Sequence, residues 1–123
     1  MTAHSTIGTG KKGEDIAVEY LKHAGYRIIE RNYRCVFGEI DIVAQDGDTT
    51  VFVEVKSRRS ARFGEPQAAV GPAKQRKLSM ISLNYLKDKG LLNSKARFDV
   101  VAVRLSPSGH SVNLIPNAFD VAF

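Results

Sequence analysis

One stretch, Gly38 to Lys56, reads GEIDIVAQDGDTTVFVEVK and constrains this chain more than any other. Two runs of β-forming residues, Gly38 to Ala44 and Val51 to Lys56, flank Asp46-Gly47-Asp48, which is a strong hairpin signal. Both runs carry charges in their middles. An ionised side chain on a buried strand face costs several kcal/mol unless it is paired or binds a metal. Asp41, Glu54 and Lys56 therefore either face water or do chemistry.

Strand alternation puts Ile40, Ile42 and Ala44 on one face of the first run and Glu39, Asp41 and Val43 on the other. In the second run Phe52, Glu54 and Lys56 share a face opposite Val51, Val53 and Val55. With Asp46-Gly47 as the turn, Asp41 lies opposite Phe52 and Glu54 is its diagonal neighbour on the same face. A two-residue shift sets Asp41 directly opposite Glu54, whereas a one-residue slip separates them. Two carboxylates side by side repel, so the arrangement makes sense with a cation between them, and hard oxygen ligands suit magnesium or manganese. Lys56 shares the face of Glu54 about 7 Å along the strand, placed to orient a water or to balance charge on a phosphate. The simpler reading is a solvated face on which Lys56 pairs with Glu54. Phe52 and Val43 on that same face argue against it.

The rest of the chain frames this hairpin. Residues 1–10 are small, polar and glycine-bearing, which predicts a flexible N-terminal arm before a single domain over 11–123. Lys12 to Ala24 has helical periodicity, ended by Gly25, and Glu14 falls on the inward stripe of Val18 and Leu21. A first-turn acid favoured by the helix dipole is the alternative for Glu14. Tyr26 to Glu30 reads as a strand and Ser57 to Gly71 as a loop. Pro72 opens a second helix that Gly90 ends, with Leu78, Ile81 and Tyr85 as its apolar stripe. Lys74 lies on that stripe, either reaching a site or snorkelling from it. Arg97 to Leu105 and His110 to Ile115 complete a mixed sheet flanked by helices, an α/β fold. Asp99, within an apolar strand, reads as a structural hydrogen-bonding acid.

Eighteen Lys and Arg against thirteen Asp and Glu give a net charge of +5, which permits polyanion binding. Arg58, Arg59 and Arg62 follow Lys56, and Arg76 and Lys77 follow Lys74, so both basic clusters flank the acids and are candidate phosphate contacts. The single cysteine, Cys35, excludes an internal disulfide and a cysteine zinc cage. His4, His23 and His110 have no ligand spacing. No glycine-rich phosphate loop is present, and Tyr26, Tyr33 and Phe37 read as core residues rather than as a stacking platform. Neither a membrane span nor a signal peptide is read, which predicts a cytoplasmic protein.

Asp41 followed by Glu54-Val55-Lys56 resembles the core of the PD-(D/E)xK nuclease superfamily. The wider frame is similar to its YraN-like family of predicted endonucleases. That frame comprises Gly13-Glu14, Asn32-Tyr33-Arg34, Gly38-Glu39-Ile40-Asp41, Val53-Glu54-Val55-Lys56, Lys74-Gln75-Arg76-Lys77-Leu78 and Arg97-Phe98-Asp99. Ile40 stands where the superfamily's name has proline, a residue the chemistry does not use. The resemblance implies a restriction-endonuclease-like fold related to archaeal Holliday junction resolvases. It further implies Glu14, Asp41 and Glu54 as metal ligands, Lys56 as the catalytic lysine, and Lys74 or Gln75 as a polar group from the second helix. The expected activity is magnesium- or manganese-dependent hydrolysis of DNA, with branched or structured DNA as the implied substrate and RNA the weaker option. Resolvase action on a symmetric junction would call for a homodimer, though the sequence shows no dimer seam. The alternative is a nucleic-acid-binding domain that keeps the nuclease fold without cutting, or that needs a partner to cut.

Overall fold

Both helices stop at a glycine, and the two stops are built alike. The computed structural model describes residues 2–59 and 70–120. Helix α1 runs Thr2–His23 and α2 runs Pro72–Asp88. After α1, Gly25 takes φ 96° and the N–H of Tyr26 donates to Leu21. After α2, Gly90 takes φ 69° and the N–H of Leu91 donates to Leu86. These are glycine C-terminal caps that satisfy the last carbonyls. Helix α1 starts at Thr2, so the expected N-terminal arm over residues 1–10 is corrected. Its glycines lower helix propensity without forbidding a helix, and no proline interrupts it.

Five strands form one sheet in sequence order: β1 (Arg27–Cys35), β2 (Gly38–Asp46), β3 (Thr49–Arg58), β4 (Lys95–Ser106) and β5 (Gly109–Phe119). Only β3 and β4 are parallel, because α2 carries the chain between them; the other neighbours are antiparallel. Mixed sheet and flanking helices match the α/β expectation. Val51, Val53, Val101 and Val103 pack under α1 with Ala17, Val18 and Leu21. Phe52, Phe98 and Val100 pack under α2 with Leu78, Ile81 and Tyr85. Consecutive strand residues therefore feed opposite cores, and the sheet lies between two helical layers. Under α2 the rings of Tyr33 and Phe52 meet Tyr85 edge-on at 5.0 and 5.6 Å. Asn84 donates to the Tyr33 hydroxyl at 2.7 Å, so the helix is pinned to the sheet. No helix among the described residues is long and apolar enough to cross a membrane.

The β2–β3 turn places Asp46 opposite Thr49, with Gly47 at φ 60° first in a Gly47-Asp48 loop, where a two-residue hairpin accepts glycine. This is the shifted register, not the one with Asp46-Gly47 as the turn. It makes Asp41 and Glu54 direct counterparts if continued. The ladder stops one step earlier, at Ile42 opposite Val53.

Candidate active site at the fork between two strands

The alternation expected for β2 breaks at Asp41. Ile42 and Ala44 pack under α1, but Ile40 joins Val43 under α2, so the placement of Ile40, Ile42 and Ala44 on one face is corrected. The reason lies in the neighbouring strand. Asn32 of β1, which faces Asp41 in the pairing between Arg31–Ile42 and Tyr33–Ile40, takes a left-handed φ of 55°. Asparagine tolerates that conformation better than most residues. The residues on either side of Asn32 change face too: Arg31 reaches α1, and Tyr33 packs under α2.

Where the β2–β3 ladder ends, the Asp41 carboxylate replaces it. Its Oδ2 accepts the backbone N–H of Val55 at 2.7 Å. Burial, then the charge of Glu54, push the Asp41 carboxyl up to about 7 from an ordinary 3.8, against the Val55 hydrogen bond. Glu14 adds a smaller push of the same sign. The two strand acids therefore share one mostly buried site, as the sequence expectation requires. On α2, the Lys74 ammonium lies 3.2 Å from Glu54 Oε2. Lys56 is half-buried, two residues beyond Glu54 on β3.

Glu14 is held differently from the expectation. Arg31 donates to its Oε1 from Nε and Nη2 at 3.0 and 2.8 Å, and Asn32 Nδ2 donates to its Oε2 at 2.9 Å. The same Arg31 bridges to Asp15 at 2.6 Å. Both Glu14 oxygens are engaged by side chains. Among the described residues no group of three or more His, Cys, Asp or Glu is arranged to hold a metal. The geometry thus joins Asp41 and Glu54 as a pair and leaves Glu14 as an outer acid. What brings α1 this near is Gly13: a Cβ there would lie 1.9 Å from the Ser57 hydroxyl oxygen.

The remaining candidates divide. Gln75 donates its amide to the Val70 carbonyl at 2.6 Å, bracing the start of α2, so Lys74 is the α2 residue seen to engage the acids. Arg58, Arg59, Arg76 and Lys77 are exposed, while Arg62 lies outside the described residues. Asp99 is the structural acid expected of it: fully buried, it accepts from the Tyr26 hydroxyl at 2.8 Å, Arg97 Nε at 3.0 Å and the Asn117 N–H at 2.9 Å. A groove of about 430 Å³ between α1 and β5, lined by Ile16, Tyr20, His23, His110 and Val112 among others, includes neither acid of the pair.

Two residues that sequence reasoning gave no role are Arg31 and Asn32, which orient Glu14. Asparagine inside a strand is disfavoured, and that misfit was the available signal. Phe37, read as core, is exposed.

The family described as "Uncharacterised protein family UPF0102" matches residues 13–103, from Gly13 through both acids and Lys74 to Val103 in the α1-side core on β4. A UPF0102 protein of Syntrophus aciditrophicus is 63% identical over 117 residues, covering 95% of this chain and 92% of its own length. One of Geobacter sulfurreducens is 54% identical over 122 residues, covering 98% and 95%. The solved structure of Pyrococcus furiosus SfsA in complex with Ca2+ aligns with a TM-score of 0.44 at 18% identity, over 94% of this chain and 65% of that one. The chain belongs to UPF0102, the family to which the YraN-like resemblance pointed.

Proposed function

We propose that this protein is a metal-dependent endonuclease that hydrolyses phosphodiester bonds in DNA. The observation that carries the reading is the juxtaposition of Asp41 and Glu54 at the fork between β2 and β3, where burial and like charge push Asp41 up to about 7. A sheet has no structural use for two acids crowded in one mostly buried place with only a half-exposed lysine beside them, because like charges there destabilise the fold. Functional sites are where this cost is tolerated.

The donor set fits magnesium or manganese, which keep several waters and need only one or two protein carboxylates. Asp41 and Glu54 would hold the ion, and Glu14 biases the site through its charge. When bound, such an ion supplies Lewis-acid polarisation of a phosphate oxygen and a more acidic water. The chain's own groups do the positioning. The Val55 N–H fixes the Asp41 carboxylate beside Glu54. Lys74 lends Glu54 a partner that a cation or a phosphate can draw away. Lys56, on the face of Glu54, holds a water or offsets charge on the phosphate. The exposed Arg58, Arg59, Arg76 and Lys77 flank this site and suit a DNA backbone.

A second reading follows from Lys74. Its ammonium, 3.2 Å from Glu54, occupies a place that a metal would take, as in a nucleic-acid-binding domain that does not cut. The experiment that separates the two is cleavage of labelled four-way junction, flap, single-stranded and duplex DNA with magnesium, manganese or EDTA. Wild type is compared with Asp41→Asn and Lys56→Ala. Metal-dependent cutting, lost in Asp41→Asn and lost in Lys56→Ala with DNA binding intact, is the expected result. Binding without cutting by all three proteins would establish the second reading.

A further inference from the structure

The hairpin joining β1 to β2 carries two exposed apolar side chains at its tip. Cys35 pairs with Gly38, so Val36 and Phe37 form a two-residue loop. The positive φ of this turn falls on Gly38, at 138°, so its two central positions are open to most residues. Here Val36 is 89% exposed and Phe37 42%. Two apolar side chains stand in water where turn chemistry asks for neither. Adjacent large apolar side chains exposed at a loop tip, with no core to join, point to a contact surface.

The tip is braced. Arg34 Nε donates to Glu39 Oε2 at 2.7 Å across the hairpin. Gly38 takes φ 138°, and a Cβ there would lie 2.7 Å from Lys77 Cε and 3.4 Å from Nζ. The Lys77 ammonium therefore sits at the foot of the tip, seated there by the absence of a side chain. Because β2 and β3 are antiparallel, the tip lies at the end of the sheet where β3 finishes with Lys56 and Arg58. Apolar side chains at the head, cations around the foot and the acid pair further along the strand are arranged in one sequence.

We infer that Val36 and Phe37 are a DNA-contacting wedge that stacks on an opened base step, and so selects branched or unpaired DNA. This deepens the proposed nuclease reading and rests on it for the choice of DNA. The surrounding charge fits a polyanion, and the apolar tip fits the broadest apolar surface such a polyanion offers, the faces of unstacked bases. Intact duplex hides those faces, and a branch point exposes them. Asp41 lies four residues beyond Phe37, roughly 13 Å along the strand, or about four base steps at 3.4 Å each. Cutting should fall a few nucleotides from the branch.

The test measures binding in EDTA, using the full chain with Asp41→Asn so that cutting plays no part. The DNAs are a four-way junction carrying 2-aminopurine at the branch and a linear duplex of equal length. Tighter binding of the junction by about tenfold is expected, with a rise in 2-aminopurine fluorescence. The double variant Val36→Ser/Phe37→Ser should lose that preference and that rise while its duplex affinity stays within about twofold. Lys77→Ala should weaken binding to both DNAs. Because both tip residues are exposed, the variant's melting curve should match the parent's. An unchanged junction preference in the double variant would overturn the proposal. So would sedimentation showing a dimer that the double variant dissolves, which would make the tip a contact between copies. Junction preference carried by the tip in a protein that never cuts would remove the nuclease and keep the wedge. Cutting by a protein whose preference ignores the tip would do the reverse.

Discussion

Asp41 and Asp99 stand in the same sheet, and each lies beside a strand irregularity marked by an asparagine of positive φ, Asn32 at 55° and Asn117 at 51°. Each also accepts a backbone N–H from a neighbouring strand, Asp41 from Val55 of β3 at 2.7 Å and Asp99 from Asn117 of β5 at 2.9 Å. They differ in what completes the shell. Asp99 is met by Arg97 and by the Tyr26 hydroxyl, and Arg97 goes on to Asp46. Asp41 is met by a second acid, Glu54, and faces the field of a third, Glu14. The same local device is closed electrostatically in one place and left open in the other. Buried charge that is paired holds a fold, whereas buried charge that is crowded by its like needs something from outside.

The largest effect that sharpens this contrast is at the closed site. Asp99→Ala should destabilise the protein by about 3–5 kcal/mol, since it breaks the buried pair with Arg97 and removes the acceptor of the Tyr26 hydroxyl and the Asn117 N–H; urea unfolding measures this directly. A small loss would mean that the Asp99 network is not the structural one.

At the open site the sign reverses. The Asp41 carboxyl is raised in the fold, so its contribution is fully present below about 3.8 and is lost as pH rises to about 7. Above that range, ionised Asp41 costs on the order of 4 kcal/mol. Asp41→Asn cannot ionise and keeps a carbonyl for the Val55 N–H. In EDTA the variant should therefore melt above wild type at pH 8, with the gap closing near pH 4. A variant that melts lower at pH 8 would break the comparison.

Gly13→Ala tests how the outer acid is brought near. The added methyl meets the Ser57 hydroxyl, so a loss of about 1–3 kcal/mol is expected, and Ser57→Ala in the same chain should recover part of it. The smallest effect belongs to Lys74→Ala. Its half-exposed ion pair contributes less than about 1 kcal/mol, so melting should barely move. Mn2+ binding should tighten, because the ammonium no longer competes for Glu54. Weaker Mn2+ binding in that variant would assign Lys74 to holding the site together.

Much of this was legible in the sequence, for reasons particular residues make plain. Gly25, Pro72 and Gly90 bound the helices because their backbone requirements are local. Asp41 and Glu54 were brought together by any register that kept one face, so choosing the wrong turn residues did not separate them. The face reversal at Asp41 was not legible. It depends on the conformation of Asn32 in a neighbouring strand, and alternation within one strand carries no trace of it. Glu14 was rightly read as inward, but its partners Arg31 and Asn32 come from another element, so its engagement by them appears only in three dimensions. Phe37 was misread because an aromatic residue is more often core, and only the pairing of Cys35 with Gly38 puts it at a tip. The helix over residues 2–11 was missed because glycines and short polar residues weaken periodicity more than they weaken a helix.

The measurement that bears most directly on the central claim is Mn2+ binding followed by calorimetry at pH 8 for wild type and Asp41→Asn, purified identically and both shown folded. Saturable binding by wild type that Asp41→Asn loses is the predicted result, because the proposed site holds its cation between these crowded carboxylates. Equal binding by the two proteins, or none by wild type, would contradict the account.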